Sequence, residues 1–153
     1  MNICEQAEAF RLLLIMGAAS KPEIIAWADD LIATHDNPPG WLCDVSLAAN
    51  EDEEAIQSKL RHLPCEGNRM IAAYSAIDRF AQAFRTGGIP AQTAARMLER
   101  WAASATVNED EWSAAMMPRL IASEIECGHA SEQDVIASVD ECLAHFEALR
   151  RAG

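Results

Sequence analysis

Apolar residues recur at three- and four-residue spacings along most of this chain, in runs separated by proline and glycine. That rhythm places apolar side chains on one side of a helix and polar ones on the other. Residues 3 to 17 form the first run, with Phe10, Leu13, Leu14 and Gly17 at helical spacing and Glu5, Glu8 and Arg11 on polar positions. Ile24, Trp27, Ala28, Leu31 and Ile32 make a second stripe, predicting a helix over about 21 to 34. His35-Asp36-Asn37-Pro38-Pro39-Gly40 breaks the chain, because proline lacks a backbone donor and disfavours helix in the residue before it. Trp41 to Leu47 follows as a short helix, since no strand candidate exists for it to pair with.

A helix from Asn50 to about Leu63 turns Ile56, Leu60 and Leu63 inward and is closed by Pro64 and Gly67. The most regular stripe is Met70, Tyr74, Ile77, Ala81 and Phe84, widened by Ala73 and Phe80, which makes this the expected central helix. Its flank of Ala72, Ala76 and Ala83 lets a neighbour approach closely. After the stop at Gly87-Gly88, a helix over about 90 to 103 presents Ala94, Met97, Leu98 and Trp101. Beyond Asn108, Trp112, Met116 and Leu120 continue at spacing four, while Pro118 predicts a kink or a restart. The last helix, about 132 to 150, shows Val135, Val139, Cys142, Phe146 and Leu149. Seven or eight short helices in one all-α domain spanning 1 to 153 is the expected fold.

Start signals support this division. Ser20-x-x-Glu23, Asn50-x-x-Glu53, Asn108-x-x-Glu111 and Ser131-x-x-Asp134 each pair a capping side chain with an acid near the helix's positive end, and only the first has the strict Ser/Thr to Glu/Gln form. The two Asn-Glu-Asp-Glu starts, at 50 and 108, have no matching sequence downstream, so a repeat architecture is not expected.

Composition adds 29 alanines, a helix-favouring bias, and a formal charge of -12. The acidity is uneven: residues 1 to 66 hold 12 acids and 4 bases, whereas residues 67 to 153 hold 12 acids and 8 bases. A phosphate backbone would repel such a chain, which argues against nucleic-acid binding. No apolar run approaches the roughly 20 residues of a membrane span. The apolar stretch from Leu12 to Ala19 follows Glu5 and Glu8 with Arg11 as its lone cation, a poor leader, so cytoplasmic residence is expected. Cysteines at 4, 43, 65, 127 and 142 are odd in number and include no Cys-x-x-Cys; they read most simply as buried thiols.

Candidate chemistry is thin. Cys127-x-His129 with Cys142-x-x-His145 offers four ligands of types zinc accepts, but Cys142 fits an apolar stripe, and a core thiol beside a flanking imidazole is the preferred reading. His62-x-x-Cys65 has too few companions. No nucleophile elbow, phosphate-cradling glycine loop or His-Glu-x-x-His helix occurs, and Asp29 and Asp30, about 100° apart on a helix, make a poor acid/base pair. Neither an enzyme nor a cofactor is expected. Trp27, Trp41, Trp101 and Trp112 each lie on or beside an apolar face and read as core.

There remains an acidic series. Asp29, Asp30, Asp36, Asp44, Glu51, Asp52, Glu53 and Glu54 are in part helix-start acids on a solvated face; read as a docking surface, with Asp30 to Glu54 as its contact residues, the series would steer a basic protein, with Trp41 as the anchor. Ile25-Ala26-Trp27-Ala28-Asp29-Asp30-Leu31-Ile32, followed by Pro38-Pro39-Gly40-Trp41-Leu42-Cys43-Asp44-Val45-Ser46-Leu47, resembles the small acidic helical proteins among bacterial toxin-immunity families, including immunity to contact-dependent-inhibition toxins and type VI effectors. The likeness covers residues 24 to about 63 and carries no fixed functional signature. It implies a cytoplasmic protein that neutralises a cognate toxin by occluding its active site. The expected function is therefore a stoichiometric, cofactor-free inhibitor of a basic partner. A self-associating helical adaptor and a small helical enzyme or zinc protein are the rivals.

Overall fold

In the computed structural model, which describes residues 1–152, eight α-helices and one 3-10 turn account for the ordered elements among those residues. They are α1 (Ile3–Met16), α2 (Lys21–Thr34), α3 (Gly40–Ser46), the 3-10 turn Ala48–Asn50, α4 (Glu53–Arg61), α5 (Arg69–Arg85), α6 (Ala91–Ser104), α7 (Glu109–Ser123) and α8 (Glu132–Ala152). The all-α, single-domain expectation holds, and α2 and α3 fall where the proline and glycine punctuation placed them. No described helix is long and apolar enough to cross a membrane.

Two apolar clusters form the interior. The larger gathers Leu12, Leu13, Met16, Ile77, Phe80, Leu98, Trp101, Val139, Leu143 and Phe146 with many alanines, drawn from α1, α5, α6, α7 and α8. The smaller joins Ala7 and Leu14 of α1 to Ile24, Ala28, Leu42, Val45, Ile56 and Leu60 of α2 to α4. Half-buried Phe10 touches both clusters. Thus α1, and not the regular α5, is the central helix: it contributes to each cluster and packs against α4, α5 and α6. Gly17 ends it in the left-handed conformation at φ 83°, and Ala18 N–H reaches back to Leu13 O at 2.8 Å, a turn an L side chain would strain.

That central position reverses an expectation drawn from polarity. Glu5 and Arg11 are buried, at 8% and 4% exposure, although their charge marks them as surface residues. Arg11 forms a two-pronged pair with Glu8, Nε and Nη2 each donating at 2.6 Å, and Nη2 also donates to Ser104 O at 3.2 Å, at the carboxyl end of α6. A buried cation needs partners of this kind, and the negative end of a helix supplies one more.

The helix starts differ in detail from the sequence signals. Asn108 and Glu111 form a full reciprocal cap, and Ser131 with Asp134 does likewise. At α2 the Glu23 carboxylate accepts from both the N–H and the hydroxyl of Ser20. Asn50, however, ends the 3-10 turn, and Asp52 caps α4 by accepting from Ala55 N–H at 2.8 Å; the helix starts later because residues 48–50 already close their own turn. An unforeseen pair, Asn2 and Glu5, caps α1 reciprocally.

Helix α7 departs most from its pattern. It runs unbroken through Pro118, and its buried side is Glu111, Ala115, Pro118 and Ala122, while Trp112, Met117 and Leu120 are about half exposed at 46%, 49% and 56%. The reason is its setting between α6 and α8, where small side chains allow close approach. Buried Glu111 is satisfied there by the Tyr74 hydroxyl and by Asn108 N–H at 2.9 Å. Trp112 is therefore not a core residue. Trp101 is, with its indole N–H donating to Ala73 O at 3.2 Å and its ring edge-on to Phe146.

The cysteines also differ. Cys4 and Cys65 form a disulfide across 61 positions, Cys43 and Cys127 are exposed, and Cys142 alone is a buried thiol. Cross-linking positions so far apart constrains the unfolded chain by about 4 kcal/mol in a loop-entropy account.

Glu5 is held below the usual carboxylate range chiefly by Asn2 N–H and next by Asn68 N–H, and Glu23 by Ser20 N–H. A lowered folded value adds stability that is complete above the ordinary value of 4.5 and is lost as pH falls through the folded one. Glu5→Gln should therefore lower the urea midpoint at neutral pH and flatten its decline on the acid side of pH 4.5. Tyr74→Phe removes one of the groups that satisfy buried Glu111 and should cost about 1–3 kcal/mol, read from chemical unfolding.

Candidate functional site

The sequence placed the candidate surface on residues 30 to 54, and the structure spreads those residues over three elements and the turns between them. Trp41 and Asp44 both sit on α3 and line one groove of about 690 Å³. Three positions on a helix bring them to the same side of α3, while Leu42 and Val45 point into the smaller cluster and anchor it. The ring of Trp41 lies 6.4 Å from that of Trp27, which packs in turn on Phe10 at 5.1 Å, so the indole is braced from behind. Trp27 is itself fixed by its N–H donating to Gln6 Oε1 at 3.0 Å.

The facing wall comes from a part of the chain that the surface hypothesis did not include. His62, Leu63, Pro64 and Cys65 line the groove's other side, with Lys59 of α4 beside them. Their position follows from the chain that carries them back to α1. The Cys4–Cys65 disulfide, Asn2 Nδ2 donating to Glu66 O at 3.4 Å, and Asn68 N–H donating to Glu5 Oε1 at 3.1 Å together lay this segment on the first turn of α1. Gly67 makes that possible, because a Cβ there would stand 3.0 Å from Glu5 Cγ and 3.1 Å from Glu5 N. Pro64 and Gly67 thus do more than end a helix. A second concavity of about 360 Å³, lined by Cys4, Glu8, Arg61, Cys65 and Arg69 among others, lies on the other side of the disulfide.

The remaining acids divide by what they touch. Glu51 pairs with Lys59 at 3.2 Å, and its carbonyl accepts from Lys21 Nζ at 2.7 Å. Asp52 caps α4, and Glu53 and Glu54 stand in the first turn of α4 at its positive end. Asp30, Asp36, Asp44, Glu53 and Glu54 are exposed, and of the whole series only Asp44 lines the groove. Asp29, left out of the partner surface, accepts from the Ser46 hydroxyl and ties α2 to α3. The groove is therefore an apolar cleft of Trp41, Leu63 and prolines, with the exposed Asp44 carboxylate and Lys59, paired with Glu51, at its edge. Proline, tryptophan and acid were visible locally in the sequence. The opposite wall was not, because its placement depends on a contact 61 positions away.

The metal candidates do not assemble. Cys127 and His129 are exposed, with His129 Nδ1 3.1 Å from Glu124 Oε2, whereas Cys142 lies in the larger cluster, where burial pushes its thiol up to about 12. Among the described residues, no group of three or more His, Cys, Asp or Glu side chains is placed to hold a metal ion. The thiol environments make a direct expectation: a disulfide reagent should titrate Cys43 and Cys127 quickly in the folded protein and Cys142 only on unfolding. Cys4 and Cys65 should react only after reduction; rapid reaction of four thiols in the folded protein, with Cys142 still protected, would show the bond open.

No protein-family model, curated protein or solved structure matches the chain.

Proposed function

We propose that this chain is a stoichiometric binding protein that docks a basic protein partner through the Trp41 groove and the exposed acids around it, in the manner of a toxin-immunity inhibitor. The observation that carries the reading is the groove itself: an aromatic floor braced by Trp27, with Asp44 at its edge, in the half of the chain where acids most outnumber bases. An apolar cleft with a few placed polar groups binds and orients, and the surrounding negative field speeds encounter with a cationic surface. A nuclease whose basic groove normally holds phosphates is the kind of toxin such a surface would occlude. The activity requires no cofactor and no reaction.

The compartment enters through the disulfide. A reducing cytoplasm, the setting expected from the sequence, would hold Cys4 and Cys65 as thiols, whereas an oxidising compartment keeps them joined.

A second reading is favoured by α7. Trp112, Met117 and Leu120 expose apolar surface on one helix, as a self-associating or adaptor module would.

Salt separates the two readings. Capture on the tagged protein should retain a basic partner at low salt, release it at high salt, and return it with its activity suppressed at one-to-one stoichiometry. A salt-resistant homo-oligomer in light scattering, with no such partner, would favour the α7 reading and end the docking one. Charge reversal is best placed at Asp36 and Asp44, because Glu51 and Asp52 hold α4 in place. Asp36→Lys with Asp44→Lys should slow association about tenfold at low ionic strength and flatten its salt dependence, with little change in dissociation. Unchanged association kinetics would remove the acidic surface from the interface.

A further inference from the structure

The wall of the groove is attached to the rest of the molecule at few points. His62, Leu63, Pro64 and Cys65 supply four of the nine residues that line the groove, and they lie between the end of α4 at Arg61 and the start of α5 at Arg69. Their ties to α1 are the Cys4–Cys65 bond and two hydrogen bonds, Asn2 to Glu66 O and Asn68 N–H to Glu5. Of these residues only Leu63 is partly buried against an apolar cluster. One of the three ties is covalent, and it is open to reagents, because both cysteines are only partly buried and line the concavity beside the groove.

We propose that the Cys4–Cys65 disulfide is a redox latch on the Trp41 groove: closed, it holds the His62–Cys65 wall against α1, and a dithiol reductant frees that wall while the α5–α8 bundle stays folded. One thiolate of the reductant attacks a sulfur of the pair, forms a mixed disulfide and expels the other cysteine, which takes up a proton. The reductant's second thiolate then attacks its own mixed-disulfide sulfur. It leaves as a cyclic disulfide, and two electrons and two protons have passed to Cys4 and Cys65. Cys43, Cys127 and Cys142 are thiols before and after, so the latch is the one redox-active pair among the described residues. The larger cluster contains no part of the latch, which is why the effect stays in the first half of the chain. As far as it bears on partner binding, the latch rests on the docking reading. Its mechanical claim does not.

Hydrogen exchange on the whole chain tests that claim without a partner. Oxidised protein, protein reduced by dithiothreitol, and the Cys4→Ser/Cys65→Ser variant are compared amide by amide, with free thiols counted in each sample. The amides of α4 and of residues 62 to 68 should exchange about tenfold or more faster in both open forms, with those of α6 to α8 unchanged. Unchanged protection of residues 62 to 68 would overturn the latch, since the wall would then be held without it. Loss of protection in every helix would overturn it equally, because the bond would be a condition of the fold and not a local control. Five free thiols in protein never exposed to reductant, recovered under oxidising conditions, would also end it.

Discussion

Every helix begins with backbone N–H groups that have no partner inside the helix, and this chain turns that requirement into its tertiary structure. Three of its capping glutamates satisfy their own helix start and then reach α5. Glu5 of α1 accepts from Asn68 N–H, at the cap of α5; Glu23 of α2 pairs with Arg79; buried Glu111 of α7 accepts from the Tyr74 hydroxyl. Tyr74 is held neutral by the same arrangement, its phenol pushed up to about 12 by burial and next by the Glu111 hydrogen bond. Three helices from both ends of the chain are thereby keyed to one. A local rule of helix initiation becomes a set of long-range contacts, and the direction each carboxylate takes fixes how its helix can pack.

Polarity along the sequence describes a helix that has one wet side, and α1 has none. With apolar clusters on both sides it must bury whatever lies between, and Arg11 is what lies there. Glu8 and the carboxyl end of α6 make this tolerable, although Nη1 finds no partner among the described residues. The Glu8 pair lies within α1, where its attraction mainly offsets the desolvation cost of burying the cation, and the Ser104 hydrogen bond is the one that crosses to α6.

The legible part of the fold was the part set by neighbours in sequence. Prolines and glycines marked α2, α3 and α6 closely, and four-three spacing gave the buried faces of α6 and α8 because large apolar residues lie on them. The same rule failed on α7, where the buried side is built from Ala115, Pro118 and Ala122, and of the predicted stripe Trp112 and Leu120 face outward while Met116 is only partly buried. Periodicity registers an apolar stripe and cannot register whether another helix covers it. The Asn2–Glu5 cap obeys the very pattern that located Ser20 and Asn108 and was available to it. Of the candidate site, Trp41 and Asp44 were legible because they lie three positions apart on one helix. The wall at His62 to Cys65 was not, since only the folded chain brings Cys65 to Cys4.

That bond has one more consequence, for the topology of the covalent molecule. Residues 4 to 65 form a closed ring, within which lie α2, α3, α4 and their exposed turns. A protease that cuts once at His35, in the proline turn before α3, or beside Glu51 opens the ring without dividing the molecule. The two new ends remain joined through sulfur, and α1 keeps its seat between both clusters. The acidic turns can thus be nicked while the oxidised protein still migrates as one chain, and the damage becomes visible as fragments only when the sulfurs part.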